Sequence, residues 1–229
     1  MSVVPAGSRR ERILEAAITE FAERGFEGAT WRGIAGRAGV TQGLIRFYFE
    51  DKEGLWRAAF RLAAARRLAG MPPPAALPGA GPPDRDAVAA WARAFAVHVA
   101  RHPDQARMVV REGAAGSERM AWAAEEALRE GQAAFLEGVE VLKSHGWFEG
   151  IGARHVLYLL VGAAQYVFLV PGEVAEVTGE DAASEAYADA HADAVVRLFM
   201  AHAPRDGATE NGVTEDGVTE DGATEGAAG

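Results

Sequence analysis

The sequence predicts an all-α protein in which a three-helix helix-turn-helix domain precedes a helical bundle. Apolar residues recur at the three- and four-residue spacing of amphipathic helices. No alternating apolar and polar segment bounded by hairpin turns interrupts them, so we expect no β-sheet. Six of the ten prolines fall within residues 71–84. They exclude a helix or an inner strand there and separate the two predicted domains.

The composition excludes several classes of protein. The 229 residues carry a net charge of −10 and include no cysteine, which excludes disulfides, thiolate-bound metals and a thiol nucleophile. The N-terminal residues lack the apolar run of a secretory signal. The longest apolar run, 156–170, is too short to span a bilayer. We therefore expect a cytoplasmic protein with no membrane partner.

The charge is divided unevenly along the chain. Residues 1–67 carry a net charge of +4, residues 68–204 carry −8, and residues 205–229 carry −6. The last segment is a degenerate five-residue repeat without large apolar side chains, which is typical of a disordered acidic tail. We therefore divide the chain into a helix-turn-helix domain, a linker, a bundle and a tail, at residues 1–70, 71–84, 85–204 and 205–229.

The N-terminal domain begins with a helix that Gly25 ends, and its apolar face is Ile13, Leu14, Ala17 and Phe21. Three further helices begin at the N-caps Thr30, Thr41 and Asp51. Gly39 supplies the turn between the first two of these, because glycine adopts a left-handed backbone without steric cost. The residues expected to face inward from the three helices are Ile34, Ala35, Ala38, Ile45, Phe49, Leu55, Ala59 and Phe60.

Two short helices joined by a glycine turn form a helix-turn-helix. Residues 28–49 contain three arginines and no acidic residue. This basic face favours DNA as the partner, although many such hairpins are only packed helices that bind nothing. The residues that the second helix directs outward are Gln42, Gly43, Arg46 and Phe47.

A longer pattern runs through these helices and their turns: Arg12-Ile13-Leu14, Ala16-Ala17, Phe21, Gly25-Phe26, Thr30, Ile34-Ala35, Ala38-Gly39-Val40-Thr41, Gly43, Tyr48-Phe49, Lys52-Glu53 and Leu55. It resembles the DNA-binding domain of the TetR family of bacterial regulators over residues 9–60, under a quarter of the chain. The resemblance implies a two-fold dimer and an all-α ligand-binding domain after the DNA-binding one. It also implies repression of an operator that a small molecule relieves.

The resemblance assigns two groups of positions to double-stranded DNA. The phosphate contacts would be Thr30, Thr41, Tyr48 and Lys52, and the positions facing the groove would be Gln42, Gly43, Arg46 and Phe47. Hydroxyls and a cation at helix N-termini suit phosphate oxygens, and Arg32 adds its charge to the same surface. The family commonly has tyrosine where this chain has Arg46. An arginine there can bond a guanine edge, so the departure bears on the operator sequence and not on DNA binding.

Apolar stripes predict the helices of the bundle. One stripe, Val88 to His102, ends at Pro103, after which a short helical stretch follows. Another is a long stripe from Met120 to Leu142. The segment 153–170 is apolar nearly all round, which indicates burial against its own core and against a second subunit. With the last stripe, within 181–203, it forms the predicted homodimer surface.

The large side chains of the bundle fill a core or line an apolar cavity with a few polar groups that orient a ligand. Both interpretations are open at this point. The candidates for a small lipophilic ligand are Trp91, Phe95, His98, Met108, Glu112, Trp122, Phe135, Tyr158, Gln165 and Tyr166.

Enzymatic and metal-binding functions find little support. His98 and His102 have the spacing of a metal pair, but HExxH is absent and the sequence places no third ligand. The motifs of serine hydrolases, P-loops and dinucleotide-binding folds are missing too. We therefore expect neither a metal, nor another cofactor, nor an enzyme. The alternative to a DNA-binding regulator is a helical interaction protein that acts through its C-terminal helices without sequence-specific DNA binding.

Overall fold

The computed structural model describes residues 8–70 and 83–204, and these ranges contain no β-strand, as predicted. The predictions for the acidic tail and for linker residues 71–82 lie outside the described residues. The N-terminal helices are α1 (Arg9–Gly28), α2 (Trp31–Ala38), α3 (Gln42–Tyr48) and α4 (Lys52–Gly70). The remaining helices are α5 (Arg85–Arg101), α6 (Pro103–Ala115), α7 (Glu118–Ala123), α8 (Arg129–Ser144), α9 (Ala153–Leu169), α10 (Pro171–Thr178) and α11 (Glu185–Met200).

The helix-turn-helix forms from local signals at its ends. The Thr30 hydroxyl accepts a hydrogen bond from the Gly33 amide at 3.0 Å, and the Thr41 hydroxyl accepts one from the Leu44 amide at 3.3 Å. Gly39, between α2 and α3, has φ 64° and ψ 39°, in the left-handed region. The Asp51 carboxylate accepts a hydrogen bond from the Gly54 amide at 2.7 Å. The three predicted caps and the predicted turn are therefore confirmed.

Helix α1 is broken near its end by Gly25, whose φ of 69° and ψ of 175° are not helical. Such a break removes helical partners from the carbonyls of the preceding turn. Arg111 of α6 donates to two of these carbonyls, to Ala22 at 3.1 Å and to Glu23 at 2.8 Å. The bundle therefore holds the broken end of α1.

The first hydrophobic core joins α1–α4 and extends beyond the linker. Its centre includes Phe21, Ile45 and Phe60, all with 1% or less of their surface exposed. Met108 of α6 and Ala123 of α7 are buried in the same core. The two domains of the sequence are thus interlocked, because α6 and α7 pack on the N-terminal helices.

The second core lies between α5, α8, α9 and α11 and includes Trp91, Phe95, Phe135 and Leu160. The long helix predicted around residues 120–142 is present as α7, a π-helical turn at Ala124–Leu128, and α8. Such single π turns inside helices are frequent at functional sites.

Helix α9 buries only one side in the single subunit. Val156, Leu160 and Ala164 face the second core, whereas the side chains of Tyr158 and Tyr166 are 67% and 55% exposed. Burial on every side was predicted with a second subunit in place, and the single subunit buries one side. The C-terminal part also contains α10, which the sequence analysis did not predict. Among the described helices, none by itself is long and apolar enough to cross a membrane, and only α9 with α10 reaches that composition, across a bend of 77°.

Candidate nucleic-acid interface and ligand site

The outward face of α3 is exposed as the sequence predicted. Gln42, Gly43 and Arg46 are exposed, and Phe47 presents 79% of its surface to solvent although it is a large apolar residue. Ile45, on the opposite side of the same helix, is fully buried. Helix α3 is therefore anchored by Ile45 and offers a face that nothing else in the described chain covers.

Arg46 has a neighbour that the sequence analysis missed. Its guanidinium carbon lies 5.8 Å from the ring centroid of Trp31, the first residue of α2. An arginine over an aromatic face keeps its donors free while losing part of its side-chain freedom. Trp31 thus orients Arg46 towards the outer face. The sequence carried a signal for this contact, since Trp31 directly follows the N-cap Thr30 at the start of α2.

The other predicted phosphate contacts surround α3. Thr30, Arg32, Thr41 and Tyr48 are exposed. Lys52, at the first turn of α4, donates to the Glu27 carbonyl at 3.2 Å, and its ammonium lies 4.8 Å from the Phe26 ring centroid. The structure brings all the predicted DNA-binding residues to α2, α3 and the start of α4.

One of the three arginines counted in the basic face is neutralised. Arg37 donates from Nε to Glu20 Oε2 at 2.9 Å and from its terminal nitrogen to Glu23. The hydrogen bond to Glu20 is the main cause that raises the pKa of Arg37. The segment 28–49 contains no acid, but α1 supplies two, so the free basic charge of this face comes from Arg32 and Arg46.

Glu20 is itself buried, with 1% of its surface exposed. Its carboxylate lies so close to Gly33 that a Cβ at that position would overlap it. A larger residue at position 33 would therefore require the Glu20 carboxylate to move. Arg10 is another cation beside this interface that the sequence did not indicate. Its guanidinium carbon lies 5.3 Å from the ring centroid of Phe49, just after α3.

A cluster around Arg119 joins the bundle to this interface. Arg119 of α7 donates from Nε to Glu112 Oε2 at 3.0 Å, and its terminal nitrogen lies 3.6 Å from Glu53 of α4. The Ser117 hydroxyl donates to the same Glu112 oxygen at 2.6 Å. Arg119 also lies over Phe26, 3.7 Å from the ring centroid. Phe26 is therefore shared by Arg119 and by Lys52, a candidate DNA contact.

The bundle contains two interior spaces that share Phe135. The first is lined entirely by apolar residues, including Trp91. The second lies between α4, α5, α6, α8 and α9, and Phe95 is in its wall. Its polar lining residues are Arg67, Gln105 and Gln132. The structure therefore brings Trp91, Phe95 and Phe135 to the interior, as the ligand prediction required.

The other ligand candidates lie elsewhere, which corrects the predicted grouping. Tyr158 and Tyr166 lie on the exposed side of α9, and Gln165 lines neither interior space. Glu112 belongs to the Arg119 cluster, and Met108 is in the first core. Trp122 packs against Trp56 and Phe60, because α7 folds back on α4.

The polar residues Arg67 and Gln105 were missed by the sequence analysis. A signal existed, because Phe60, Ala63, Ala64 and Arg67 continue one buried face of α4 at helical spacing. A charged residue at the end of such a face lies against the interior.

His98 and His102 lie close together, with ring centroids 4.8 Å apart. His98 is hydrogen-bonded to the backbone of Arg67, and burial, followed by the charges of His102 and Arg67, lowers the pKa of His98. In the part of the chain that the structure describes, no three His, Asp or Glu side chains are grouped so as to hold a metal ion.

The chain is similar to known regulators over its N-terminal helices. The family described as bacterial regulatory proteins, tetR family, matches residues 13–59. The HTH-type transcriptional repressor AcnR of Corynebacterium diphtheriae is 48% identical over 58 residues, which are 25% of this chain and 30% of that protein. The chain thus aligns with about a third of this relative's length. These similar proteins are transcriptional regulators rather than enzymes.

Solved structures extend the similarity of fold to the bundle. The hemolysin II transcriptional regulator HlyIIR has a TM-score of 0.61 at 18% identity, covering 84% of this chain and 97% of that one. A TetR-like transcriptional regulator from Rhodococcus sp. RHA1 has a TM-score of 0.59 at 22% identity, covering 86% and 96%. The N-terminal helices of the chain thus match the tetR family of bacterial regulatory proteins over residues 13–59, and the chain as a whole shares the all-helical fold of these solved regulators.

Proposed function

We propose that this protein is a ligand-responsive, DNA-binding transcriptional regulator, a repressor that a small lipophilic molecule releases from a palindromic operator. The observation that carries the proposal is the exposed face of α3, which presents Gln42, Arg46 and Phe47 to solvent. Helix α3 contains no acidic residue. A short helix held by one buried residue, with its outer face free, has the form of a recognition helix in a major groove. The similarity to the repressor AcnR supports the same assignment.

The second part of the proposal is a homodimer through α9 and α11. The exposed apolar side chains of these helices are Tyr158, Leu159, Tyr166 and Leu198. A groove of about 210 Å³ between the two helices is lined by Leu159, Leu198 and Phe199. Exposed apolar patches rimmed by polar residues mark interaction surfaces. A two-fold dimer would place two α3 helices on half-sites about one DNA turn apart, ~34–36 Å or somewhat more.

The third part is coupling of the bundle to the recognition helix. Helix α4 carries Lys52 at one end and Arg67, beside the second interior space, at the other. A ligand that moves α4, or the Arg119 cluster against its first turn, would change the spacing of the two α3 helices. A coupling of about 1–3 kcal/mol is enough for a roughly 5–150-fold change in operator affinity.

A mobility-shift assay of the full-length protein on DNA from its own upstream region tests the proposal. We expect a shifted complex whose affinity falls steeply as salt rises, because phosphate contacts release counterions. Arg46→Ala should weaken this complex, whereas Arg129→Ala, which removes an exposed charge on α8, should not. If the two variants bound unrelated DNA equally well, or if no complex formed at low salt, the alternative of a helical interaction protein would be favoured instead.

A further inference from the structure

Arg67 is a cation that the described part of the chain leaves without an acidic partner. It lies in the last turn of α4, and its Nε is buried without a hydrogen-bond partner. Burial is the cause that lowers its pKa, and no carboxylate opposes that effect. By contrast, the neighbouring Arg66 is ion-paired with Glu15. A buried donor without a partner is unfavourable, so the Nε of Arg67 calls for an acceptor that the described residues do not provide.

Gln105 presents a second unsatisfied group to the same space. Its surface is only 4% exposed, it lines the cavity that Arg67 lines, and its Oε1 has no hydrogen-bond partner. A half-turn about its last side-chain bond exchanges the oxygen with the NH2 group, so the amide can also donate. Two polar side chains therefore line one cavity, and each has a buried atom that no described group satisfies.

The rest of the wall is apolar. Phe95, Phe135, Leu157 and Val161 lie around the cavity, and Gln132 adds one neutral amide. Among the side chains that the structure describes, no acidic one is in this lining. A ligand that complements this cavity would therefore carry one negative charge on an otherwise apolar molecule.

We propose that this cavity binds an amphipathic carboxylate. The carboxylate would accept two hydrogen bonds from the Arg67 guanidinium and one from the Gln105 amide, since a planar guanidinium matches a carboxylate in a bidentate manner. The apolar part of the ligand would lie along Phe95, Phe135 and Leu157. This proposal rests on the proposed function and specifies its effector, which the charge makes an acid and not a neutral lipophile.

The cavity has to widen to admit such a ligand. The free space at its centre is about 40 Å³, enough for a few water molecules. Ala127 and Leu128 of the π-helical turn form part of the wall. Single π turns inside helices are frequent at functional sites, so we expect this wall to be the part that moves.

Three pairs of probes test the charge requirement on the full-length protein: octanoate and 1-octanol, dodecanoate and 1-dodecanol, and 3-phenylpropionate and 3-phenylpropanol. Binding is measured by the rise in Tm and by the change in tryptophan fluorescence. We expect at least one acid to bind roughly tenfold or more tightly than its alcohol, as a hydrogen-bonded charge pair predicts. Equal binding of the acids and alcohols would overturn the proposal, and so would the failure of all three acids to bind.

Variants then assign the charge to Arg67. Arg67→Gln should weaken binding of the acid roughly tenfold or more and leave its alcohol unaffected, whereas Arg67→Lys should retain part of the affinity. Arg66→Gln makes the same charge change on the outer side of α4 and should bind the acid as the wild type does. Without ligand, Arg67→Gln should have an unchanged or higher Tm, because it removes a buried donor that has no partner. If Arg67→Gln bound the acid as tightly as the wild type does, the proposal would be overturned.

Gln105→Leu provides a second route if Arg67→Gln does not fold, and it should also weaken binding of the acid. Neither result depends on DNA. Release of the operator by a neutral molecule alone would reject the carboxylate and keep the regulator. Arg67-dependent binding of an acid by a protein that binds no operator would keep the carboxylate and reject the regulator.

Discussion

The guanidinium of Arg119 lies 3.7 Å from the centroid of the Phe26 ring. These two residues belong to different parts of the sequence, on either side of the proline-rich segment, yet they are in direct contact. Phe26 also carries the ammonium of Lys52 at 4.8 Å. One aromatic ring thus contacts both a residue of the bundle and a residue predicted to bind DNA phosphate. A displacement of α7 would therefore change the position of Phe26 and Lys52.

Replacing Arg119 by alanine should destabilise this junction. Glu112 is 5% exposed, and loss of Arg119 leaves its buried carboxylate with only the Ser117 hydroxyl. We expect the free energy of unfolding to fall by about 1–3 kcal/mol, the cost of a buried group left unsatisfied. Chemical denaturation measures this value. Arg129→Ala removes an exposed ion pair with Glu125 and should change stability by less than about 0.5 kcal/mol. Equal effects of the two variants would contradict the structural role of the cluster.

Arg46→Ala should change which DNA sequence is preferred. If Arg46 bonds a guanine edge, its loss costs about 1–3 kcal/mol on the cognate site and relaxes the preference at one base position. Lys52→Ala should instead weaken binding to all sequences and reduce the salt dependence by about one phosphate contact. Binding of a randomised operator library, read by sequencing, separates the two effects. An unaltered base preference in the Arg46 variant would remove its role in base recognition.

A charge placed on the face of α9 and α11 should separate the subunits. Leu159 and Leu198 are both more than half exposed in the single subunit, and burying a new charge between two copies is unfavourable. We expect Leu159→Arg to shift sedimentation from dimer to monomer and to weaken operator binding. Val110→Arg places the same charge on an exposed position of α6 and should leave the dimer intact. A dimeric Leu159→Arg variant would place the interface elsewhere.

His98 should make stability depend on pH. Burial, His102 and Arg67 lower its pKa below the ordinary value of 6.5, so the folded state disfavours the protonated ring. As pH falls below about 6.5, the unfolded chain takes up this proton first, and the folded state loses stability. Denaturation at pH 7.5 and pH 5.5 should therefore show a smaller loss in His98→Gln than in the wild type. His145→Gln, which replaces an exposed ring after α8, should lose as much as the wild type does.

The sequence by itself determined the helices and their ends in the N-terminal domain. Thr30, Thr41, Gly25 and Gly39 act through hydrogen bonds and backbone angles within a few residues, so their effects can be predicted without knowing the rest of the chain. The same holds for the exposed side of α3, because helical periodicity places Arg46 opposite Ile45. Local rules were therefore almost sufficient to predict the surface that we assign to DNA.

Only the tertiary structure decided which charges remain free and which polar groups converge. Arg37 looked like part of a basic face until α1 brought Glu20 to it, and Arg67 shares a cavity with Gln105 only because α4 and α6 pack side by side. Tyr158 and Trp122 looked like partners of Phe135 in one cavity, but α9 turns the first outward and α7 carries the second to the other core. Helical period fixes the face of one helix on which a residue lies. The helix that packs on that face depends on contacts between residues far apart in the sequence, and those contacts determine both charge and cavity.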